Sequence, residues 1–279
     1  MADREQQVAG EALVNNGNGK KVQPYNVLIG LAAQDECKTH FAYDLSNLIA
    51  YSGELVHATE GKFPLARMAT VVIEGTLIAP QRQDIALNAL AQGRTHILWI
   101  DTDMRFPKNG LARLLSHDKP IVAANYCSRR NRNTLKMTAA HDYDHAIKKR
   151  KTAWTEHDST GLEEVKTCGF GFCLTKIEVF QALELPYFAV PYIKGEGFTG
   201  EDVWFCERAK EAGFPTLIDH DLSKEVGHIG SWEFRYDHAL TQREAELARG
   251  EEASPTEKDR KSTRLNSSHS DRSRMPSSA

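Results

Sequence analysis

The chain has 279 residues, enough for one large domain or two small ones. A net charge of −3 gives no electrostatic case for a nucleic-acid or anionic-membrane surface, and no run approaches the ~18 apolar residues of a membrane-spanning helix. The polar stretch 1–21 lacks the apolar core of a secretion signal, and the odd, irregularly spaced cysteines (Cys37, Cys127, Cys168, Cys173, Cys206) predict reduced thiols in a cytoplasmic protein rather than a disulfide framework or a cysteine-rich zinc site.

In chain order, residues 1–21 are too polar and glycine-rich to bury a face and read as disordered. Val27 to Ala32 is a first strand, and Phe41, Leu45, Leu48 and Ile49 follow at helical spacing. Leu55 to Ala58 reads as a short second strand, Leu77 to Ala91 as a helix, and His96-Ile97-Leu98-Trp99-Ile100 as a buried strand. Pro107 suits a first helical turn, with Leu111, Leu114 and Leu115 giving that helix its apolar face, and Ile121 to Ala124 is a further strand. This alternation predicts an α/β domain, a mostly parallel central sheet flanked by helices. Residues 128–164 are polar, with Arg129, Arg130 and Arg132 at the start and Lys148 to Lys151 later, and read as an insertion or loop with little core. Order returns at Val165. Thr175-Lys176-Ile177-Glu178 has capping-box spacing, Glu201 to Ala212 is a helix ended by Gly213, and Thr216 to Ile218 is a late strand. One domain over 22–235 is expected, followed by a charged helix over 236–258 that includes Leu240 to Leu247. The run Asp259–His269 matches the translation of a common sequencing adapter, so residues 259–279 are set aside as non-native. They hold five Lys or Arg and two Asp or Glu, and without them the net charge is −6.

Asp101-Thr102-Asp103 follows the buried strand directly. In open α/β sheets ligands bind outside the carboxyl ends of strands, and a carboxylate pair there is an oxygen site for Mg²⁺ or Mn²⁺. Taken alone it reads first as an acidic turn with Asp101 as the N-cap of the next helix. Three further features follow in order: Gly169-Phe170-Gly171, Gly200-Glu201-Asp202, and His228 within Val226-Gly227-His228-Ile229-Gly230. Singly, these read as a bulge, helix-start acids and a surface histidine.

In this order they resemble the GT-A glycosyltransferases, single-domain nucleotide-diphospho-sugar transferases with a Rossmann-like fold, over about residues 24–232. The runs Ile100-Asp101-Thr102-Asp103-Met104 and Gly200-Glu201-Asp202-Val203-Trp204-Phe205-Cys206 are most similar to those of bacteriophage and bacterial members. The resemblance implies a D-x-D at Asp101 and Asp103, a late metal-binding histidine at His228, and an acceptor loop at Gly169, Phe170 and Gly171. It also implies an x-E-D motif at Glu201 and Asp202. The implied activity is transfer of a sugar from a UDP- or GDP-sugar to an acceptor hydroxyl, dependent on Mn²⁺ or Mg²⁺. The chemistry of the residues agrees. Asp103 suits a direct ligand, and Asp101 the ribose or a metal-bound water. Asp202 suits the general base and Glu201 an acceptor-orienting role, and a single base with in-line attack implies inversion. The resemblance places the nucleotide at Ala32, Ala33 and Gln34 after the first strand, and donor contacts are also expected from Thr102 and Arg82. Arg129 and Arg130 are candidates to close over the diphosphate, and Phe198, Trp204 and Trp232 to stack on a sugar. A nucleotidyltransferase and a non-catalytic nucleotide-sugar-binding protein are the competing readings. The first would want a glycine-rich, basic loop after the first strand, where Leu28 to Ala33 has one glycine and no basic residue.

Overall fold

The computed structural model describes residues 14–15, 21–22, 24–59, 63–128, 137, 139–144, 149–193, 197–230 and 233–249. Of the segment expected to be disordered, only Val14–Asn15 and Lys21 are among these, as an antiparallel ladder with Val22. Arg129, Arg130, Arg132, Lys148, Trp232 and the 259–279 tail lie outside the described residues.

A seven-stranded sheet forms the centre. Strand β1 (Tyr25–Ala33) lies between β2 (Leu65–Glu74), at one edge, and β3 (His96–Ile100). Beyond β3 come β10 (Phe172–Lys176), β5 (Ile121–Ala123), β11 (Thr216–Asp219) and the far edge strand β8 (Leu162–Val165). Strands β1, β2, β3, β5 and β11 run one way, while β10 and β8 oppose them. The sheet is therefore mixed rather than simply parallel. The reversal arises because β10 enters from the Gly169–Gly171 turn and inserts between two parallel strands; its Thr175 hydroxyl accepts from the Trp99 indole of β3 at 2.9 Å.

Alternation along the strands builds two core layers. Leu28, Ile97 and Trp99 face a layer with helices α2 (Ile78–Ala91), α4 (Ile177–Ala182) and α5 (Glu201–Glu211). Val27, Ile29, Leu98 and Ile100 face the other layer, with α1 (Thr39–Ala58) and α3 (Gly110–Ser116). Helix α2 sits unusually close to β1: a Cβ at Gly30 would lie 2.5 Å from Ile85 Cγ2. That close approach lays the start of α2, with Gln81 and Arg82, against the carboxyl ends of the strands.

Three sequence expectations change. Leu55 to Ala58 is the last turn of α1, because Leu48 and Ser52 continue its buried stripe; the second strand is Leu65–Glu74, whose partly exposed edge position hides the apolar pattern of a buried strand. Thr175 belongs to β10, and α4 begins at Ile177 with no side-chain cap. The polar 128–164 region is not wholly a loop. Within it β6 (Ala140–Asp144) pairs with β7 (Lys149–Thr152) and with β9 (Thr167–Cys168), and Met137, Ala140 and Thr155 are fully buried. After α6 (His220–Ser223), strand β12 (Gly227–Ile229) pairs with both β4 (Met104–Arg105) and β13 (Glu233–Phe234), before α7 (Tyr236–Ala248).

Candidate active site

A cleft of about 370 Å³ opens at the carboxyl ends of β1, β2 and β3. Its lining joins Ala32, Ala33 and Gln34 from the end of β1 to Asp101, Thr102 and Asp103 after β3, and to His228 of β12. Its volume falls in the range of small-molecule sites, roughly 300–1,000 Å³.

The turn holding the acidic pair is fixed by its backbone. The Asp101 N–H donates to Gly171 O at 3.1 Å, the Met104 N–H to Asp101 O at 3.1 Å and the Lys38 N–H to Thr102 O at 3.2 Å. The Ile229 N–H closes on Asp103 O at 2.7 Å, and the β4–β12 ladder sets His228 opposite Met104. This ladder brings in His228 from 125 residues beyond Asp103. His228 Nδ1 lies 2.9 Å from Cys127 O; a carbonyl only accepts, so Nδ1 carries the hydrogen. In the neutral ring Nε2 then presents its lone pair 3.4 Å from Asp103 Oδ1. Two acceptors at that distance favour a positive charge between them, either a proton or a metal ion. An imidazole nitrogen with a carboxylate oxygen is a donor set that suits Mn²⁺.

Asp101 is engaged differently. Its Oδ1 is 3.0 Å from Arg82 Nη2, while Arg82 Nη1 is 2.6 Å from Glu201 Oε1 at the start of α5. Arg82 is 3% exposed, and its guanidinium also lies 5.3 Å from the centre of the Phe170 ring. Burial works against its charge, but Asp101, Glu201 and Asp202 more than restore it, so its pKa is raised above the ordinary arginine value. Among the described residues no group of three or more His, Cys, Asp or Glu side chains is gathered closely enough to hold a metal ion. The Asp103–His228 pair, with Asp101 held by Arg82, is the donor set available to a cation here, and substrate phosphate oxygens are the usual complement to so sparse a set.

Glu201 and Asp202 are not among the residues that line the cleft; Glu201 is tied to its edge through Arg82 and Asp101. Asp202 Oδ1 folds back to accept from the Val203 N–H at 2.7 Å, and a Cβ at residue 200 would lie 2.7 Å from that oxygen, which accounts for Gly200. Burial, then Glu201, push the Asp202 carboxyl up to about 6, against the pull of Arg82 and the Val203 N–H. A carboxylate titrating there is a competent base near neutrality.

Gly169, Phe170 and Gly171, expected to contact the acceptor, are all buried. The Phe170 ring packs 5.6 Å from Trp99, 5.7 Å from Phe188 and 5.3 Å from Phe205, so it belongs to the core and is closed to an acceptor. The two glycines admit Tyr126: a Cβ on Gly171 would lie 2.7 Å from Tyr126 Cζ and 3.0 Å from Met104 Sδ, and one on Gly169 would meet the phenol oxygen. That oxygen accepts from the Gly171 N–H at 3.0 Å, and burial, then Asp101 and Asp202, hold the phenol well above its usual pKa and therefore neutral. Phe198, by contrast, is 75% exposed and pairs edge-on with exposed Tyr192 at 5.2 Å.

No family model matches the chain, and no curated protein matches it. Among solved structures it is similar to the A197 protein from STIV, with TM-score 0.43 and 15% identity, over 74% of this chain and 86% of that one. It is also similar to a nucleoside-diphosphate-sugar pyrophosphorylase from Vibrio cholerae RC9, with TM-score 0.40 and 12% identity, over 77% of this chain and 98% of that one. A UDP-glucose pyrophosphorylase complexed with UDP-glucose gives TM-score 0.37 and 8% identity, over 81% of this chain and 99% of that one. These likenesses are weak.

The cleft also takes in Glu36, Lys38, Gly75, Thr76, Ile78 and Gln81, none of which stood out in the sequence. Gly75 and Thr76 follow β2, the strand that was misplaced. Gln81 is one polar residue at the start of an amphipathic helix, with no pattern to distinguish it. The neighbouring Arg82 does not line the cleft; it acts from behind, through Asp101. Among the described residues no helix is long and apolar enough to cross a membrane.

Proposed function

We propose that the chain is a metal-dependent glycosyltransferase that moves a sugar from a UDP- or GDP-sugar to an acceptor hydroxyl. The observation that carries this reading is the cleft at the strand ends in which Asp103 Oδ1 and the His228 Nε2 lone pair face each other 3.4 Å apart. The residues expected to hold the donor, Ala32, Ala33, Gln34 and Thr102, line the same space. A divalent ion held by Asp103 and His228 would supply positive charge for the leaving diphosphate. Arg82 keeps Asp101 oriented at the cleft and, through Glu201, ties the start of α5 to it. In this reading the acceptor approaches on the Asp202 side of Arg82, and Asp202 takes the proton of its hydroxyl as that oxygen attacks the anomeric carbon. Attack opposite the leaving diphosphate, with one base and no protein nucleophile, inverts that centre; glycosidases, in contrast, place two carboxylates about the bond.

The test is release of nucleoside diphosphate from a panel of UDP- and GDP-sugars with Mn²⁺, Mg²⁺ or EDTA, repeated with Asp103→Ala and His228→Ala. Metal-dependent release that both variants abolish is expected. No metal-dependent release from any donor overturns the reading. One observation favours nucleotidyl transfer as a second reading: Lys38, five residues beyond β1, lines the cleft and places a cation where a triphosphate would need one. Pyrophosphate release from a nucleoside triphosphate and a sugar 1-phosphate, without turnover of sugar nucleotides, would select it.

A further inference from the structure

Gln81 spans the carboxyl ends of β1 and β2. Its Nε2 donates to Ala33 O of β1 and, at 2.7 Å, to Ile73 O of β2. A side-chain amide has two N–H donors, and both are spent on carbonyls that can only accept. The usual ambiguity of amide orientation is therefore resolved: nitrogen faces the strands and Oε1 faces away from them. The residue is 6% exposed yet lines the cleft. Among the described residues no donor pairs with Oε1. The buried side-chain atoms of the described residues that lack a hydrogen-bond partner are Gln83 Nε2, Trp204 Nε1, Thr216 Oγ1 and Glu233 Oε1, and Gln81 Oε1 is not one of them. An oxygen with no partner that is not sealed off, on a side chain otherwise buried, takes its remaining exposure from the cleft that the residue lines. The position is also held from below, since Gly75 leaves room for the Gln81 stem, to which a Cβ would come within 3.4 Å.

The geometry points to Gln81 Oε1 as a fixed hydrogen-bond acceptor that reads an N–H on the edge of a bound nucleobase. This rests on the reading of the cleft as a nucleotide site. The shared chemistry is a base N–H, from the ring lactam of uracil or guanine or from the exocyclic amine of cytosine or adenine. Lys38, on the same cleft, is a donor that suits the acceptor beside such an N–H; the lactam bases are assigned because the proposed donors are UDP- and GDP-sugars. Because Gln81 is clamped at two points it cannot rotate to offer its N–H instead, and a ligand that presents only acceptors there leaves Oε1 without a partner. Sites built to accept a hydrogen bond reject analogues that lack the donor strongly.

The experiment is calorimetric titration of the full chain with UDP, GDP, CDP and ADP in the presence of Mn²⁺. The tighter of UDP and GDP is then compared with its analogue methylated on the lactam nitrogen. About tenfold or greater weakening on methylation is expected, with UDP or GDP preferred over CDP and ADP. Tightest binding by CDP or ADP, lost on dimethylation of the amine, supports the same acceptor with an amino edge as its source. The control is Gln81→Met, checked for folding by thermal melting, in which the ratio of parent to methylated affinity should fall towards one. If Gln81→Met does not fold, the analogue comparison on the unaltered chain decides. Equal affinity for parent and methylated nucleotides, or discrimination that persists in Gln81→Met, overturns the inference and leaves the proposed activity standing. Failure of every nucleoside diphosphate to bind overturns both.

Discussion

The two sides of the Arg82 guanidinium make an instructive pair. On one side Asp101 stands at the rim of an open cleft lined by Gln34, Glu36, Lys38, Thr76 and Gln81, where polar atoms meet solvent. On the other side Glu201 and Asp202 sit beside Tyr126, the buried turn Gly169–Gly171 and an aromatic cluster of Phe170, Phe188 and Phe205. Carboxylates lie on both sides, and their surroundings separate their tasks. Low-dielectric packing raises the Asp202 carboxyl to about 6, which suits a proton acceptor. On the open side, Asp103 faces an imidazole lone pair, which suits a cation. One buried arginine keeps the two chemistries adjacent without merging them.

The comparison can be broken most severely at Asp202. Asp202→Asn should lower turnover by roughly 10²–10⁴-fold while leaving metal-dependent nucleotide binding near that of the unaltered chain; nearly intact transfer would reduce Asp202 to a helix-start residue. In the unaltered chain turnover should rise with pH through about 6, as Asp202 loses its proton. The same titration acts on stability with the opposite sign. The native carboxyl holds its proton more tightly than the unfolded one (ordinary value 3.8), so this group's contribution falls as pH rises from about 4 to about 6 and is level above. The melting-temperature advantage of Asp202→Asn should therefore grow between pH 4 and pH 7.

Next in size is the link itself. Arg82→Met leaves Asp101 and Glu201 without their shared cation and should destabilise the fold by ~3–5 kcal/mol, read by urea unfolding. If the pair on each side were independent, Arg82→Met would leave the pH dependence of turnover unmoved; loss of the arginine should instead shift the acidic limb upward, since Arg82 holds the Asp202 pKa down. Smaller again is Gly171→Ala, whose Cβ would press on Tyr126 and Met104 and should cost about 1–3 kcal/mol. At Gly169 the first clash is with the phenol oxygen, so Tyr126→Phe should relieve Gly169→Ala more than Gly171→Ala, as a double-mutant cycle would show. The smallest effect is expected at Phe198. Phe198→Ser should change stability by less than about 0.5 kcal/mol, whereas Phe170→Ala should cost ~3–5 kcal/mol.

The same contrast explains what the sequence made legible. His96 to Ile100 and the acids after it were readable because a fully buried strand is continuous in apolar residues and its end is marked by charge. Ala32 to Gln34 came instead from the resemblance, which places a nucleotide after the first strand. Leu65–Glu74 was not readable, because an edge strand partly open to solvent dilutes its own pattern with Arg67, Thr70 and Glu74. Strand β10 escaped because Phe172 to Lys176 carries no sign of its direction; only the turn before it reverses the chain. Gly169 and Gly171 were visible as glycines, but their cause is a phenol 45 residues away from Gly171, and no local pattern encodes that. Gln81 was hidden for a similar reason, since its partners are backbone carbonyls on two different strands.

The β4–β12 ladder also has a temporal meaning. Asp103 is translated 125 residues before His228, and between them the chain must lay down β10, α5 and β11. Contacts of such separation cost loop-closure entropy and form late. A nascent chain can thus assemble the β1–β3 floor of the cleft while the histidine is still unmade, and the two facing side chains come together only once β12 has been added. The cation affinity proposed for this pair would arise only after the floor of the cleft is in place.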